Sequence, residues 1–174
     1  IWGQEDIKIA GHGTVQAGVI AFSDNSGDGK WDPREYILYI PEGFEGKELP
    51  ILMLYPGNSQ TDSIFMDSTL WWQLAEKEGI ALAFVCETYS SSPSSVSHAD
   101  SDKFYQSLVT LMEEKIDGSY ADLDFNRIYG SGQSAGSSAT QGFAMTNPEF
   151  FAAVGSTSSV PAPGENAVNK LIPS

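Results

Sequence analysis

The chain has 174 residues, which is enough for one ordinary domain with a sizeable core. Hydrophobic residues make up 41% and charged residues 18%, a profile that is typical of a globular protein and excludes a disordered chain. With 23 acidic and 9 basic residues the formal net charge is −14, which argues against nucleic acid and anionic membranes as partners because both attract basic surfaces. No apolar run approaches the length needed to cross a bilayer.

Short apolar runs between turn-forming residues predict strands in the first half of the chain. Residues 15–22 read as a strand, and residues 36–40 (Y-I-L-Y-I) have the aromatic and β-branched content of another, which Pro41 ends. Residues 51–55 (I-L-M-L-Y) and 80–86 (I-A-L-A-F-V-C) are continuously apolar. Such runs favour strands that are buried on both faces by helices.

Apolar residues at helical spacing predict helices between and after these strands. The predicted helices span residues 68–78, 99–116 and 135–146, and further strands are predicted at residues 127–130 and 151–154. Gly79 is expected to end the first helix. The apolar stripe of the second helix is expected to consist of Phe104, Leu108, Leu111 and Met112. This alternation predicts an α/β fold with a mostly parallel sheet, helices on both faces, and sites at the carboxyl ends of strands.

The stretch G-S-G-Q-S-A-G, residues 130–136, fits the G-x-S-x-G pattern of a nucleophile elbow. Ser134 falls between a predicted strand and a predicted helix, and Gly132 and Gly136 supply the small neighbours that such a tight turn needs. The pattern predicts Ser134 as a nucleophile. Because a helix N-terminus carries partial positive charge, the N–H of Ala135 is predicted to stabilise an oxyanion. The alternative interpretation is a small-residue turn that only lets a helix pack on a strand.

Five blocks occur in order along the chain: R-E-Y-I-L-Y-I-P, L-M-L-Y-P-G-N-S-Q-T, W-W-Q-L-A-E-K-E-G-I-A-L-A-F-V, D-L-D-F-N-R-I-Y-G-S-G-Q-S-A-G and N-P-E-F-F-A-A-V-G-S-T-S-S. Together, over about residues 34–159, they resemble the polyhydroxybutyrate depolymerase/feruloyl esterase group of α/β-hydrolases. The resemblance implies the α/β-hydrolase fold, an esterase with a Ser–His–Asp triad and no organic cofactor. In that group a His-Gly step precedes the second oxyanion donor. Here the step is Pro56-Gly57, so the resemblance implies the backbone N–H of Asn58, or alternatively of Ser59.

The chain lacks an obvious base for Ser134, because the order in this fold is serine, acid, histidine. After Ser134 the only acidic residues are Glu149 and Glu165, neither of which can be assigned as the triad acid, and no histidine follows. His12 and His98 come earlier, and His98 is interpreted as a solvated loop residue rather than a substrate contact. We expect the N-terminal portion of one catalytic domain, completed by a second polypeptide or a missing segment. The alternative is a protein that has lost its triad.

Residues 24–35, D-N-S-G-D-G-K-W-D-P-R-E, match the template of an EF-hand loop, with Gly29 at its sixth position. A structural calcium ion is one interpretation, and a hairpin turn at Asp-Gly, flanked by strands, is the other. The strand that follows is expected to lie at the edge of the sheet. The candidate ligands are the side chains of Asp24, Ser26, Asp28, Asp32 and Glu35 and the carbonyl of Lys30.

The sequence therefore predicts a secreted serine carboxylic-ester hydrolase that acts through an acyl-enzyme on feruloyl or acetyl esters of plant polysaccharide, or on a polyester. The acidic, Ser- and Gly-rich composition and the first residue, Ile1, favour secretion. A prolyl-oligopeptidase-like serine peptidase and a non-catalytic carbohydrate- or calcium-binding relative are the alternatives. Tyr55, Trp71 and Trp72 are candidates for packing an aromatic acyl group, and core packing explains the tryptophans as well. Cys86 is interpreted as a buried structural thiol.

Overall fold

The computed structural model describes residues 5–8, 13–22, 32–57, 60, 62–85 and 98–158, and all structural statements below concern these ranges. The described strands are β1 (Glu5–Lys8), β2 (Thr14–Phe22), β3 (Asp32–Ile40), β4 (Glu48–Tyr55), β5 (Ala81–Val85), β6 (Asp122–Gln133) and β7 (Ala153–Thr157). The described helices are α1 (Asp62–Ser68), α2 (Trp71–Glu78), α3 (His98–Lys115) and α4 (Ala135–Thr146).

The described strands form a single sheet in the order β1-β2-β3-β5-β4-β6-β7. Strands β5, β4, β6 and β7 pair with one another in parallel. Strands β1, β2 and β3 pair antiparallel in sequence order, and β3 joins β5 antiparallel. Because two successive antiparallel pairings restore the direction, β2 runs with the parallel strands, so five of the seven described strands run the same way. The predicted α/β sheet is confirmed.

Side chains of successive strand residues alternate between two apolar layers, one on each face of the sheet. On β3, Tyr36, Leu38 and Ile40 belong to the layer that packs against α3 and α4. Ile37 and Tyr39 belong to the layer that packs against α1 and α2. Strand β5 is buried at every position, as its continuously apolar sequence predicts. Helices therefore cover both faces of the sheet.

Several strands differ from their predicted bounds because strand pairing extends past the apolar runs. Strand β3 begins at Asp32 rather than at Tyr36, and it lies between β2 and β5, so the prediction of an edge strand is wrong. Strands β4 and β6 both begin earlier than their apolar cores, because Glu48 pairs with Asp122. Strand β7 begins two residues later than predicted, at Ala153. Hydrogen bonding to a neighbouring strand, and not hydropathy alone, sets these bounds.

The predicted helix over residues 68–78 is wrong in its first turn. The structure has two short helices there, α1 and α2, separated by Thr69 and Leu70. At the end of α1 the hydroxyl of Thr69 donates to the carbonyl oxygen of Phe65 at 2.8 Å, and the N–H of Thr69 donates to the same oxygen at 3.1 Å. Helix α2 ends at Gly79 as predicted, with a φ of 72°. A Cβ at this position would lie 2.6 Å from the ring of Phe44.

The two longer helices agree with their predicted bounds, α4 at both ends and α3 within one residue. The apolar stripe of α3 is shifted, because Tyr105 is buried in it whereas Leu111 is only half-buried, and Ile116, which follows the helix, is buried as well. The side chain of Phe104 lies outside the described part of the structure. None of the helices in the described ranges combines the length and the apolar character that a membrane span requires.

Candidate active site

Ser134 forms the sharp turn between the last residue of β6, Gln133, and the first residue of α4, Ala135. Its backbone has a φ of 53° and a ψ of −119°. A positive φ is strained for a residue other than glycine, and such residues cluster at active sites. The residue is exposed to solvent. The strand–turn–helix context that the G-x-S-x-G pattern requires is therefore present.

Gly132 and Gly136 stand where main chains approach too closely for a side chain. A Cβ on Gly132 would meet the carbonyl oxygen of Gly136 and would lie 2.5 Å from the nitrogen of Ser137. A Cβ on Gly136 would meet the carbonyl oxygens of Tyr55 and Pro56. The first turn of α4 thus packs directly against the ends of β6 and β4, and only glycine allows this approach.

Ala135 is the first residue of α4. Its N–H therefore belongs to the first turn, where main-chain N–H groups have no partner within the helix. The N-terminal end of the helix dipole adds partial positive charge at the same place, and no acidic residue in that turn offsets it. This environment favours an oxyanion beside Ser134. The donor role of Ala135 stays a prediction.

The turn that follows β4 lies beside the elbow. A Cβ built on Gly57 would be 3.5 Å from the Cβ of Ser134. The N–H of Gln60 donates to the carbonyl oxygen of Gly57 at 3.1 Å, and the N–H of Gly57 donates to the side-chain oxygen of Gln60 at 2.9 Å. Asn58 and Ser59, the predicted oxyanion donor and its alternative, stand between these two residues and outside the described ranges. Their assignment stays a prediction.

One contact joins the elbow to β7 and another joins α4 to β7, and the sequence predicts neither of them. The N–H of Ser134 donates to the carbonyl oxygen of Thr157 at 3.0 Å. The side-chain amide of Gln141 donates to the hydroxyl oxygen of Ser156 and, at 3.4 Å, to that of Ser137. The sequence carries no local signal for these contacts, because they depend on the parallel pairing of β6 with β7.

Of the acidic residues that follow Ser134 in the sequence, only Glu149 lies within the described ranges. Glu149 is exposed on the connection from α4 to β7. Because β7 runs parallel to β6, this connection lies at the amino ends of the strands, whereas Ser134 follows the carboxyl end of β6. Glu149 is therefore excluded as the triad acid. His98 is the first residue of α3 rather than a loop residue. His12 and Glu165 lie outside the described ranges.

The described groups with clearly shifted pKa values lie away from the elbow. Burial, with the hydrogen bond to Glu76 as a second cause, raises the pKa of the Tyr39 hydroxyl. That hydroxyl donates to a carboxylate oxygen of Glu76 at 2.5 Å on the α1/α2 face of the sheet. Near the start of β6 the hydrogen bond from Arg127 lowers the pKa of Asp124. Within the described ranges these shifts reflect structural contacts and not an acid–base pair at Ser134.

Most of the predicted calcium loop lies outside the described ranges, including Asp24, Ser26, Asp28 and Lys30. Asp32 and Glu35 belong to β3, so the last four positions of the template are strand, and Phe22 pairs with Asp32 to begin the β2–β3 hairpin. Among the residues with described placement, no group of three or more His, Cys, Asp or Glu could hold a metal ion. The calcium site stays a prediction.

The aromatic residues considered for acyl-group packing belong to the core. Tyr55 is buried, and its ring centroid lies 6.2 Å from that of Tyr105 on α3. Trp71 and Trp72 are half-buried and pack against the layer beneath α1 and α2. These contacts favour the core-packing interpretation of the two tryptophans and place Tyr55 in the core as well. Cys86, interpreted as a buried thiol, lies outside the described ranges.

No protein-family model and no curated protein matches the sequence. Solved structures do match. An acetyl xylan esterase from Aspergillus awamori is 20% identical with a TM-score of 0.60, over 81% of this chain and 53% of that chain. An S-formylglutathione hydrolase from Agrobacterium tumefaciens is 15% identical with a TM-score of 0.59, over 86% of this chain and 59% of that chain. Fluorophosphonate-binding serine hydrolase F of Staphylococcus aureus is 20% identical with a TM-score of 0.55, over 79% of this chain and 55% of that chain.

These similarities, with the strand order and the elbow at the end of β6, show that the chain has the α/β-hydrolase fold. The chain spans slightly more than half the length of these three solved structures. At this level of identity the similarity shows the fold alone. The narrower resemblance to the polyhydroxybutyrate depolymerase/feruloyl esterase group is not confirmed by it.

Proposed function

We propose that the chain supplies the nucleophile and the oxyanion hole of a serine carboxylic-ester hydrolase. The observation that carries the proposal is the exposed Ser134, which is held at a positive φ where β6 turns into α4. A strained non-glycine residue persists only where its surroundings enforce it. Here the close approach of main chains at Gly132 and Gly136 does so. This geometry supports nucleophilic catalysis better than a turn that serves packing alone.

In the proposed reaction the Oγ of Ser134 attacks the ester carbonyl carbon while a base removes the hydroxyl proton. The carbonyl electron pair moves onto oxygen, and the N–H groups of Ala135 and Asn58 stabilise the resulting oxyanion. Collapse of this intermediate breaks the ester C–O bond, and the alcohol leaves with the proton held by the base. Water then attacks the acyl-enzyme by the same route, which releases the carboxylic acid and restores Ser134.

We propose that the acid and the histidine of the triad come from a polypeptide segment outside this sequence, either a second chain or a continuation of this one. No histidine or aspartate follows Ser134 in the sequence, and Glu149 lies at the amino ends of the parallel strands, away from Ser134. Strand β7, the neighbour of β6, is the outermost described strand at its edge of the sheet, and all five of its residues are exposed. An additional strand that pairs there would cover the open edge.

For the substrate we propose an acetyl or feruloyl ester of plant polysaccharide, or a polyester, hydrolysed outside the cell. The similarity in fold to an acetyl xylan esterase supports the first of these classes. The net charge of −14 supports an uncharged polymer over an anionic one, because like charges repel. A structural calcium ion in the loop before β3 is part of the same proposal.

Labelling of the complete protein with a fluorophosphonate, followed by peptide mass mapping, tests the proposal. We expect the label on Ser134, none on the Ser134→Ala variant, and an unchanged label on Ser138→Ala, which alters an exposed serine one helical turn away. Turnover of p-nitrophenyl esters without cleavage of peptide amides would separate an esterase from a prolyl-oligopeptidase-like peptidase. Absence of label from the complete, folded protein would contradict the proposal and favour a non-catalytic relative.

A further inference from the structure

We propose that Gln60 is a positioning residue for Gly57, which follows β4 and lies beside Ser134. Its side-chain oxygen holds the main-chain amide of Gly57 and so fixes Gly57 next to the elbow. The inference rests on the proposed esterase function. It assigns a role to a residue that does not itself contact the reacting atoms.

Two hydrogen bonds join the same pair of residues in opposite directions. The N–H of Gly57 donates to the Oε1 of Gln60 at 2.9 Å, and the N–H of Gln60 donates to the carbonyl oxygen of Gly57 at 3.1 Å. The second bond has the spacing that closes a four-residue turn. The first makes the Gln60 side chain a brace across that turn. Together they leave Gly57 little freedom to rotate about its own backbone.

The brace matters because Gly57 lies against the elbow. It is buried, and a Cβ built on it would be 3.5 Å from the Cβ of Ser134 and 3.4 Å from the carbonyl oxygen of Gln133. The preceding residue, Pro56, presents its carbonyl oxygen to Gly136 in the first turn of α4. Gly57 is therefore packed on the nucleophile's own turn, so a rotation of its backbone changes the geometry between Gly57 and Ser134.

The same bond determines which amides can serve the oxyanion. The N–H of Gly57 is committed to Gln60, so this amide is excluded as an oxyanion donor. The bond that closes the turn uses only the N–H of Gln60 and the carbonyl of Gly57. The predicted donor, the N–H of Asn58 or of Ser59, belongs to one of the two residues between Gly57 and Gln60 in the sequence.

A displacement of Gly57, which precedes the predicted donor in the sequence, should affect the transition state more than substrate binding. Full negative charge on the carbonyl oxygen exists only after attack, so a displaced donor weakens an interaction that the ground state barely uses. A displacement of about 1 Å costs on the order of 100-fold in rate. We therefore expect removal of the brace to lower kcat by about 10- to 100-fold, with KM changed by less than about twofold.

The test uses Gln60→Met, which keeps the length of the side chain and removes its acceptor, and Gln60→Ala as a second variant should methionine not fit. Gln73→Met, at an exposed glutamine on α2, is the matched control. Two quantities are measured on the complete protein: kcat and KM for p-nitrophenyl acetate, and the hydrogen-exchange rate of the Gly57 amide by NMR. We expect faster exchange at Gly57 and a lower kcat in both Gln60 variants, and neither change in the control.

The two measurements separate the failure of this inference from the failure of the proposed function. Faster exchange with unchanged kcat in an active enzyme would overturn the positioning role and leave the esterase function intact. An unchanged hydrogen-exchange rate at the Gly57 amide would show that Gln60 does not hold Gly57, which also overturns the positioning role. A complete wild-type protein that neither turns over esters nor reacts with fluorophosphonate would refute the proposed function, and the positioning role with it.

Discussion

The main-chain N–H of Ser134 donates to the carbonyl oxygen of Thr157 at 3.0 Å, so β7 holds the nucleophile's own amide. The carbonyl oxygen of Ser134 accepts from the N–H groups of Ser137 and Ser138 at 3.0 and 3.2 Å. Both main-chain polar groups of Ser134 are thus satisfied within the fold, which stabilises a backbone conformation that is otherwise unfavourable. Since the amide of Ser134 is used in this way, we expect oxyanion donors from its neighbours.

Replacement of Gly136 by alanine should destabilise the fold and abolish fluorophosphonate labelling. The added Cβ would meet the carbonyl oxygens of Tyr55 and Pro56, which belong to main chain and cannot rotate away. We expect a loss of about 1–3 kcal/mol or more in the free energy of unfolding, measured by chemical denaturation.

Gly142→Ala is the matched control on the same helix, because no atom lies within 4 Å of a Cβ built there. Alanine is a better helix former than glycine, so this variant should gain about 0.5–1 kcal/mol. Equal effects of the two substitutions would contradict the packing of α4 against the end of β4.

Gln141 should couple α4 to β7 through its bond to Ser156. We expect the double-mutant cycle of Gln141→Ala and Ser156→Ala to give a coupling free energy of about 0.5–1.5 kcal/mol, measured by denaturation. Because Ser156 is exposed, the lower part of this range is expected. Strictly additive single-variant effects would show that the bond does not stabilise the attachment of β7.

Phe143 should be among the most sensitive core positions of α4. It is 3% exposed, and its ring centroid lies 4.6 Å from that of Tyr105 and 4.8 Å from that of Phe150. Phe143→Ala leaves a cavity between α3 and α4, which should cost about 3–5 kcal/mol of unfolding free energy. Met145→Ala, at a half-buried position two residues later, should cost clearly less. A small effect at Phe143 would mean that the cluster repacks.

Asp124 should make stability depend on pH. The hydrogen bond from the Arg127 side chain, and then the N–H of Asn126 at 2.9 Å, hold the pKa of Asp124 below its ordinary value of 3.8. A lowered folded-state pKa stabilises the fold above the ordinary value, and this contribution is lost as pH falls through the folded value. Asp124→Asn should therefore be less stable than wild type at pH 7, with the difference disappearing in acid.

Urea denaturation at several pH values measures this difference. Arg127→Gln should reduce the same pH dependence, because it removes the first cause of the lowered pKa and leaves the hydrogen bond from Asn126. Added salt should reduce the effect, since Arg127 is exposed and exposed charges are screened. A constant stability difference between Asp124→Asn and wild type across the acid range would argue against the ion pair as its source.

Features set by residues close together in the chain could be predicted from sequence. The bounds of α4, the end of α2 at Gly79 and the turn at Ser134 follow from glycine spacing and apolar periodicity. The break between α1 and α2 could not be predicted in this way. It depends on the packing of Phe65 in one layer of the core and on the hydrogen bonds that the hydroxyl and the N–H of Thr69 donate to the carbonyl oxygen of Phe65.

The sequence by itself determined the fold class and the position of Ser134 at the end of a strand, because the residues that form the elbow are neighbours in the chain. Only the tertiary structure decided that β3 is interior and that Thr157 and Gly57 lie beside Ser134. These relationships depend on strand order and register, which are set by hydrogen bonds between segments far apart in sequence. A local pattern can place a nucleophile on a turn, but pairing between distant strands brings its neighbours to it.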